Sequence, residues 1–180
     1  KDIMGVSVFL IVFSAIIFFA PEMGGYFLEA NNFIPANSLQ TPTHIAPVWY
    51  FTPYYSILRA VPPLFNSQFP GVVAMGLSVV VFVFLPWLDR SPVKSIRYRG
   101  ALYKKWLAAF VVSFLVLGYL GTVPSNVWGT FSASTFILGG ADRATVAARI
   151  FTAVYFAFFI LMPWYTKWGK TKPVPERVTG

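Results

Sequence analysis

The chain has 180 residues, 57% of them hydrophobic and 19% aromatic, and only 11% carry a charge. Soluble domains carry roughly a quarter charged residues, so this composition excludes an ordinary soluble domain and points into a bilayer. Fourteen Lys and Arg against six Asp and Glu give a net charge of +8, but these bases crowd at the ends of apolar runs, which fits membrane orientation better than a nucleic-acid partner.

The first apolar run, Ile3 to Ala20, contains no charge and stops at Pro21. About 20 apolar residues cross the hydrocarbon core, so this run is predicted to be a transmembrane helix. It has no small-residue cleavage site and is long enough to span, which argues against a signal peptide. The chain opens on Lys1-Asp2, one step before the run, as a fragment would. Residues 21–69 form a long connection rich in Pro and Asn. Loops of that length are usually functional or disordered, and the aromatic content here argues against disorder. Within it, Pro47 suits the first turn of a short surface helix running over 49–60. Pro53 is expected to kink or restart that helix, and Pro62-Pro63 to end it.

Three further spans are predicted over residues 70–88, 106–123 and 144–164. A basic loop, 89–105, separates the second from the third. A mixed aromatic stretch in which Phe136 to Leu138 dip into the interface separates the third from the fourth, and a polar tail occupies 167–180. The small residues Gly71, Ala74 and Gly76 suit close helix contacts. The expected fold is all-α and membrane-embedded: four transmembrane helices, with a long outer-face loop carrying a short helix between the first two. Four spans put the amino end, the basic loop and the tail on one side, with eleven of the fourteen basic residues. Only Arg59, Arg143 and Arg149 fall on the other. The positive-inside rule then places the basic loop inside and the 41–59 stretch outside.

Polar groups at a membrane boundary are few and costly, which makes each a candidate for function. No cysteine and a single histidine are present, so disulfides, thiolate sites, multi-histidine metal sites and a bis-histidine haem site are excluded. The Thr41–Arg59 stretch, TPTHIAPVWYFTPYYSILR, combines that histidine with a dense group of aromatics and one arginine. It suggests a pocket for a flat, apolar ligand. His44, with an ordinary pKa of about 6.5, is either a proton carrier or a loop cap. Tyr50, Tyr54 and Tyr55 either position a polar ring substituent or pack at the interface. Arg59 pairs with a carboxylate or with backbone carbonyls. Asp2 is either a carboxylate favoured by a helix N-terminus or a group that contacts a quinone-like carbonyl. Lys1 is an anchor or a proton entry point. Glu22, Glu29 and Asp142 have no spacing that pairs them, and no nucleotide- or zinc-binding motif occurs.

The segments His44 to Phe51 and Tyr55-Ser56-Ile57-Leu58-Arg59 resemble cytochrome b of the cytochrome bc (quinol:cytochrome c oxidoreductase) complexes. Lys1-Asp2-Ile3 and Leu85-Pro86-Trp87-Leu88-Asp89-Arg90-Ser91 agree with the same family. The resemblance covers essentially the whole chain and matches the family's carboxy-terminal four spans. It implies a part in Q-cycle electron transfer coupled to proton translocation, with ubiquinol and ubiquinone as the substrate pair. Pro47, Val48, Trp49, Tyr50, Phe51 and Tyr55 match the quinol-oxidation pocket, and Lys1 and Asp2 match the quinone-reduction pocket. Val48 departs from the family, which usually has Glu there as a proton acceptor; His44, a tyrosine, water or Glu22 is the expected substitute. The resemblance implies no cofactor bound by this segment alone and two b-type haems in the amino-terminal half. The implied partners are that half, a Rieske iron–sulfur protein, a cytochrome c1-type subunit and membrane lipid, in a dimeric complex without nucleic acid. The implied setting is a bacterial plasma membrane ahead of a mitochondrial inner membrane, with the chain a naturally split form or a fragment. The rival readings are a subunit-four-like component of a b/f complex, which typically stops after three spans, and a non-redox helical bundle.

Overall fold

The computed structural model describes residues 2–28, 33–40, 45–64, 67–124, 129 and 142–174. Four of its helical segments are long and apolar enough to cross a membrane: Asp2–Phe19, Phe69–Leu88, Ala101–Thr122 and Arg143–Ile160. The chain divides into two compact units, Lys1–Tyr50 and Phe51–Gly180.

The first unit is built on α1 (Asp2–Phe19), whose carboxylate at the first residue favours the helix dipole. The helix ends at the turn before Pro21, with the Ala20 amide still bonded to the Ile16 carbonyl at 3.0 Å. A tight turn follows at Met23–Gly25, where Gly24 and Gly25 take φ of 64° and 90°, a region open to glycine at little cost.

The second unit holds the remaining helices among the described residues. These are α2 (Thr52–Ala60), α3 (Phe69–Val80), α4 (Leu85–Leu88), α5 (Ala101–Thr122), α6 (Arg143–Ile160) and α7 (Met162–Trp168). Of the two expected starts for the short helix, a first turn at Pro47 and a restart at Pro53, the second is observed, and the expected surface helix packs one face into the core. It is Pro53 that occupies the first turn of α2, where a missing N–H leaves no bond unmade. Thr52, Pro53, Ser56, Ile57 and Ala60 are buried. The third span also starts earlier than expected, at Ala101, so Lys104 and Lys105 lie on its first turns and not in the loop.

The buried residues of α5 (Ser113, Leu117, Leu120, Gly121) and of α6 (Ala144, Ala148, Thr152, Tyr155, Phe158, Phe159) recur at helical spacing, so each helix turns one stripe inward. The two stripes meet Ile57 and Ala60 of α2 in a common core. Lower in the bundle the core is aromatic: Phe110 lies 4.6 Å from Phe158, 5.0 Å from Tyr155 and 5.4 Å from Phe159 between ring centroids. Trp106 stacks on Tyr165 at 5.5 Å. Burial, then Tyr103 and Asp89, push the Tyr165 phenol above its usual range against the opposing Arg99. Its hydroxyl donates to the Phe158 carbonyl at 2.9 Å.

The second span, expected as one continuous helix, tightens to a 3₁₀ turn over Val81–Phe84 between α3 and α4. Pro86 lacks the N–H that an α-helix would send to Phe82, and the Leu85 amide bonds the Phe82 carbonyl instead. Just before the transition, the Tyr155 hydroxyl donates to the Ser78 carbonyl at 2.8 Å. The predicted interfacial dip at Phe136 to Leu138 lies outside the described residues.

Close approach of α2 to α5 depends on Gly121, while Gly118 one turn earlier has room for a Cβ at ordinary contact. An ideal Cβ on Gly121 would collide with the Thr52 carbonyl oxygen, and one on Gly118 would sit 3.5 Å from Pro53 Cγ. Gly71 of α3 likewise meets the Leu58 carbonyl, whereas Gly76 has open space around it. Gly121→Ala is therefore expected to cost about 1–3 kcal/mol through overpacking, read as a lowered thermal midpoint of the purified complex. Gly76→Ala should leave that midpoint unchanged.

Candidate functional site

The residues singled out in the 41–59 stretch fall on both sides of the division between the units, and each side has its own anchoring. In the first unit, Trp49 Nε1 donates to the Tyr26 carbonyl at 3.0 Å. Its ring lies 5.3 Å from the Tyr26 ring and 5.6 Å from that of Tyr50. Pro47 and Val48 are half-buried, while Trp49 and Tyr50 are exposed. The indole bond thus closes the loop back on the turn after α1 and leaves the two aromatic faces open. Val48 presents only methyl groups, which hold no proton. Glu22 is exposed in the same unit. Asp2 lies at the opposite end of α1, an 18-residue helix and so about 27 Å long. It does not belong with the Trp49 group. Lys1 and His44 lie outside the described residues.

In the second unit, Phe51 is exposed at the N-cap of α2, its carbonyl accepting the Tyr54 and Tyr55 amides at 3.1 Å each. Tyr54 packs its ring against Phe51 at 6.1 Å and edge-on to Phe114 of α5 at 6.0 Å. Tyr55 is half-buried, with the Arg59 guanidinium carbon 5.5 Å from its ring centroid. This geometry suits a cation–π contact.

How α2 ends explains why these rings are held. The last carbonyls of a helix lack internal partners, and Pro62-Pro63 prevents the chain from supplying them. Gln68 Nε2 donates to the carbonyls of Leu58 at 3.0 Å and Val61 at 3.3 Å. Arg149 Nε, from α6, donates to the Ala60 carbonyl at 3.0 Å. In turn Arg59 Nη1 donates to the carbonyl of Val123, the residue that terminates α5, at 3.2 Å. Of the two alternatives for Arg59 in the sequence, pairing with backbone carbonyls is the one observed. The parts played by Arg149 and Gln68 were not readable, because their partners lie 89 and up to 10 residues away and a carbonyl leaves no mark on the sequence.

Among the described residues, the stretch offers aromatic faces and phenol hydroxyls. Among the described residues no group of three His, Cys, Asp or Glu could hold a metal ion. Bis-histidine haem ligation needs two imidazoles and the whole sequence has one, so this segment does not fit a haem. The single ion pair among the described residues, Asp89 with Arg99 at 2.5 Å, joins the basic loop to itself. Arg99, counted in the sequence as one more orienting charge, is in fact buried. It also bonds the Val93 carbonyl at 3.1 Å and the Lys94 carbonyl at 3.3 Å, and faces the Tyr103 ring at 4.4 Å.

Replacing Arg149 by Met would leave the Ala60 carbonyl without that donor. Hydrogen bonds from charged groups contribute about 1.5–3 kcal/mol, so the variant should lose stability of that order in thermal denaturation of the purified complex.

A family model for cytochrome b (C-terminal)/b6/petD matches residues 35–156. Cytochrome b of Allochromatium vinosum is 55% identical over 179 residues, 99% of this chain and 40% of the relative. Cytochrome b of Rhodospirillum rubrum is 37% identical over 180 residues, 99% of this chain and 39% of the relative. Among solved structures, a chain of a hyperthermophilic respiratory Complex III superposes with a TM-score of 0.62 at 35% identity, covering 91% of this chain and 36% of that one. The chain thus spans about two-fifths of the length of the curated relatives it matches.

Proposed function

The chain belongs to the cytochrome b carboxy-terminal family, which includes b6/petD, and from that premise we propose that it is the quinone-handling, haem-free part of a quinol:cytochrome c oxidoreductase. Its spans make it an integral membrane protein. In this reading Pro47, Val48, Trp49 and Tyr50 of the first unit serve quinol oxidation on the outer face, and so do Phe51 and Tyr55 of the second. Lys1 and Asp2 serve a quinone-reduction pocket on the inner face. The observation that carries the reading is that the family match, residues 35–156, contains the entire Pro47–Arg59 stretch.

Oxidising a quinol to a quinone releases two electrons and two protons. The electrons leave to acceptors outside this segment: a Rieske-type iron–sulfur protein, and b haems in the remainder of the subunit, with a cytochrome c1-type subunit beyond. The residues here bind and orient the ring and exclude water from it. Trp49 and Tyr50 offer flat surfaces, Tyr55 a hydroxyl, and the capped α2 a rigid support. The 1–180 segment thereby acts as one carboxy-terminal domain of a dimeric complex in a bacterial plasma membrane, with its basic loop on the inner face.

A proton acceptor must stand in for the glutamate that Val48 replaces. The candidates are His44, Glu22 and the tyrosines of the stretch, or water. A positioned acid–base group contributes about 10²–10⁴-fold to rate. Single replacements His44→Ala, Glu22→Gln, Tyr50→Phe, Tyr54→Phe and Tyr55→Phe in the assembled complex should therefore slow quinol oxidation tenfold or more in one case, and Val48→Glu should restore that variant. Full rates in all five would remove side-chain proton transfer from the proposal.

A further inference from the structure

The neighbouring tyrosines of α2 are held by different means. Tyr54 is fixed by rings, those of Phe51 at 6.1 Å and Phe114 at 6.0 Å. Tyr55 is half-buried, and among the described residues its ring meets no other aromatic and its hydroxyl no hydrogen-bond partner. What faces it is a cation: the Arg59 guanidinium carbon lies 5.5 Å from the ring centroid, within the reach of a cation–π contact. The two side chains stand four residues apart on α2, the spacing that brings neighbours together on one helix face.

Arg59 is itself held in place. Its Nη1 donates to the Val123 carbonyl at 3.2 Å, and among the described residues no carboxylate pairs with it. The space it shares with Ser56, Leu120 and Thr145 amounts to about 10 Å³, no more than one water needs, so the side chain has little room to move toward α6. A planar guanidinium can lie on a ring and donate to a carbonyl at once, which the compact ammonium of lysine cannot. We propose that Arg59 is a positioning residue for quinol oxidation: tethered to the carbonyl that ends α5, it sets the orientation of the Tyr55 ring and leaves the hydroxyl to the ligand. The role presupposes that Tyr55 serves quinol oxidation, as proposed above, and Arg59 acts through Tyr55 and not on the quinol.

The test is a double-mutant cycle in the assembled complex, with kcat/KM for oxidation of a short-chain ubiquinol as the readout. A misplaced positioning group can cost about 10²-fold, so Tyr55→Leu and Arg59→Lys should each lower kcat/KM tenfold or more. In the Tyr55→Leu background Arg59→Lys should have no further effect, because residues that act as one unit are not additive. In a Tyr54→Leu background, which leaves Tyr55 in place, the Arg59→Lys penalty should persist in full. An arginine that merely ties α2 to α5 would cost the same in either background, and that result overturns the proposal. So does a wild-type kcat/KM in Arg59→Lys, or a penalty lost in both backgrounds, which would mean a general loosening of α2. A wild-type kcat/KM in Tyr55→Leu is a different failure: it removes Tyr55 from the quinol-oxidation reading, and the role of Arg59 falls with it. If Arg59→Lys does not assemble, Arg59→Gln, which keeps a donor for the Val123 carbonyl and removes the cation, decides by the same comparison.

Discussion

The last carbonyls of a helix lack internal partners and must be satisfied from outside it. That requirement governs α2. The carbonyls of Leu58 and Val61 take Gln68, that of Ala60 takes Arg149, and Arg59 returns the service to Val123 at the end of α5. Three separate segments are joined by side chains reaching to backbone. The exchange accompanies a close approach of α2 to α5 that Gly121 permits. Remove the close approach and the arginines no longer reach; remove the arginines and the buried carbonyls become a cost. The half-buried Tyr55 and the ring of Tyr54 are positioned by this arrangement, which gives an aromatic segment the rigidity of a core.

At the other end of the bundle a similar problem is solved with a charge pair. Arg99 gathers Asp89, two loop carbonyls and the face of Tyr103 around one guanidinium. Partly buried pairs of this kind are weak evidence for stability but hold a chain to one path. Here the path is that of the loop joining the second span to α5. The Lys172 amide bonds the Tyr98 carbonyl at 2.8 Å, so the start of the tail is tied to the same loop. Cations at the two ends of the bundle thus serve different ends: completing helix termini at one, and folding a loop at the other.

The spanning helices were legible because twenty apolar residues in a row admit few alternatives. The partner of Arg59 was not: a carboxylate and backbone carbonyls both suited it in the sequence, and the Val123 carbonyl decides between them. The start of α2 stayed open between Pro47 and Pro53 because both satisfy the local rule for a first turn; burial of Thr52 and Pro53 goes with the second. Arg99 was grouped with the orienting charges because nothing local distinguishes it from Arg97, which remains exposed. The tightening of the second span was readable in principle from Pro86. In the candidate site the aromatic anchors were visible by type, whereas the supports that hold them come from α3 and α6, and contacts of such long range leave no periodic trace.

The 3₁₀ turn at Val81–Phe84 also alters the reach of its span. Such a turn rises about 2.0 Å per residue against 1.5 Å in an α-helix, so its four residues lengthen the span by about 2 Å. Twenty residues from Phe69 to Leu88 consequently extend about as far as the 22 of α5. A proline that costs one hydrogen bond thus acts as a spacer, matching the shorter span to its longer neighbour and delivering Asp89 to the level at which Arg99 waits.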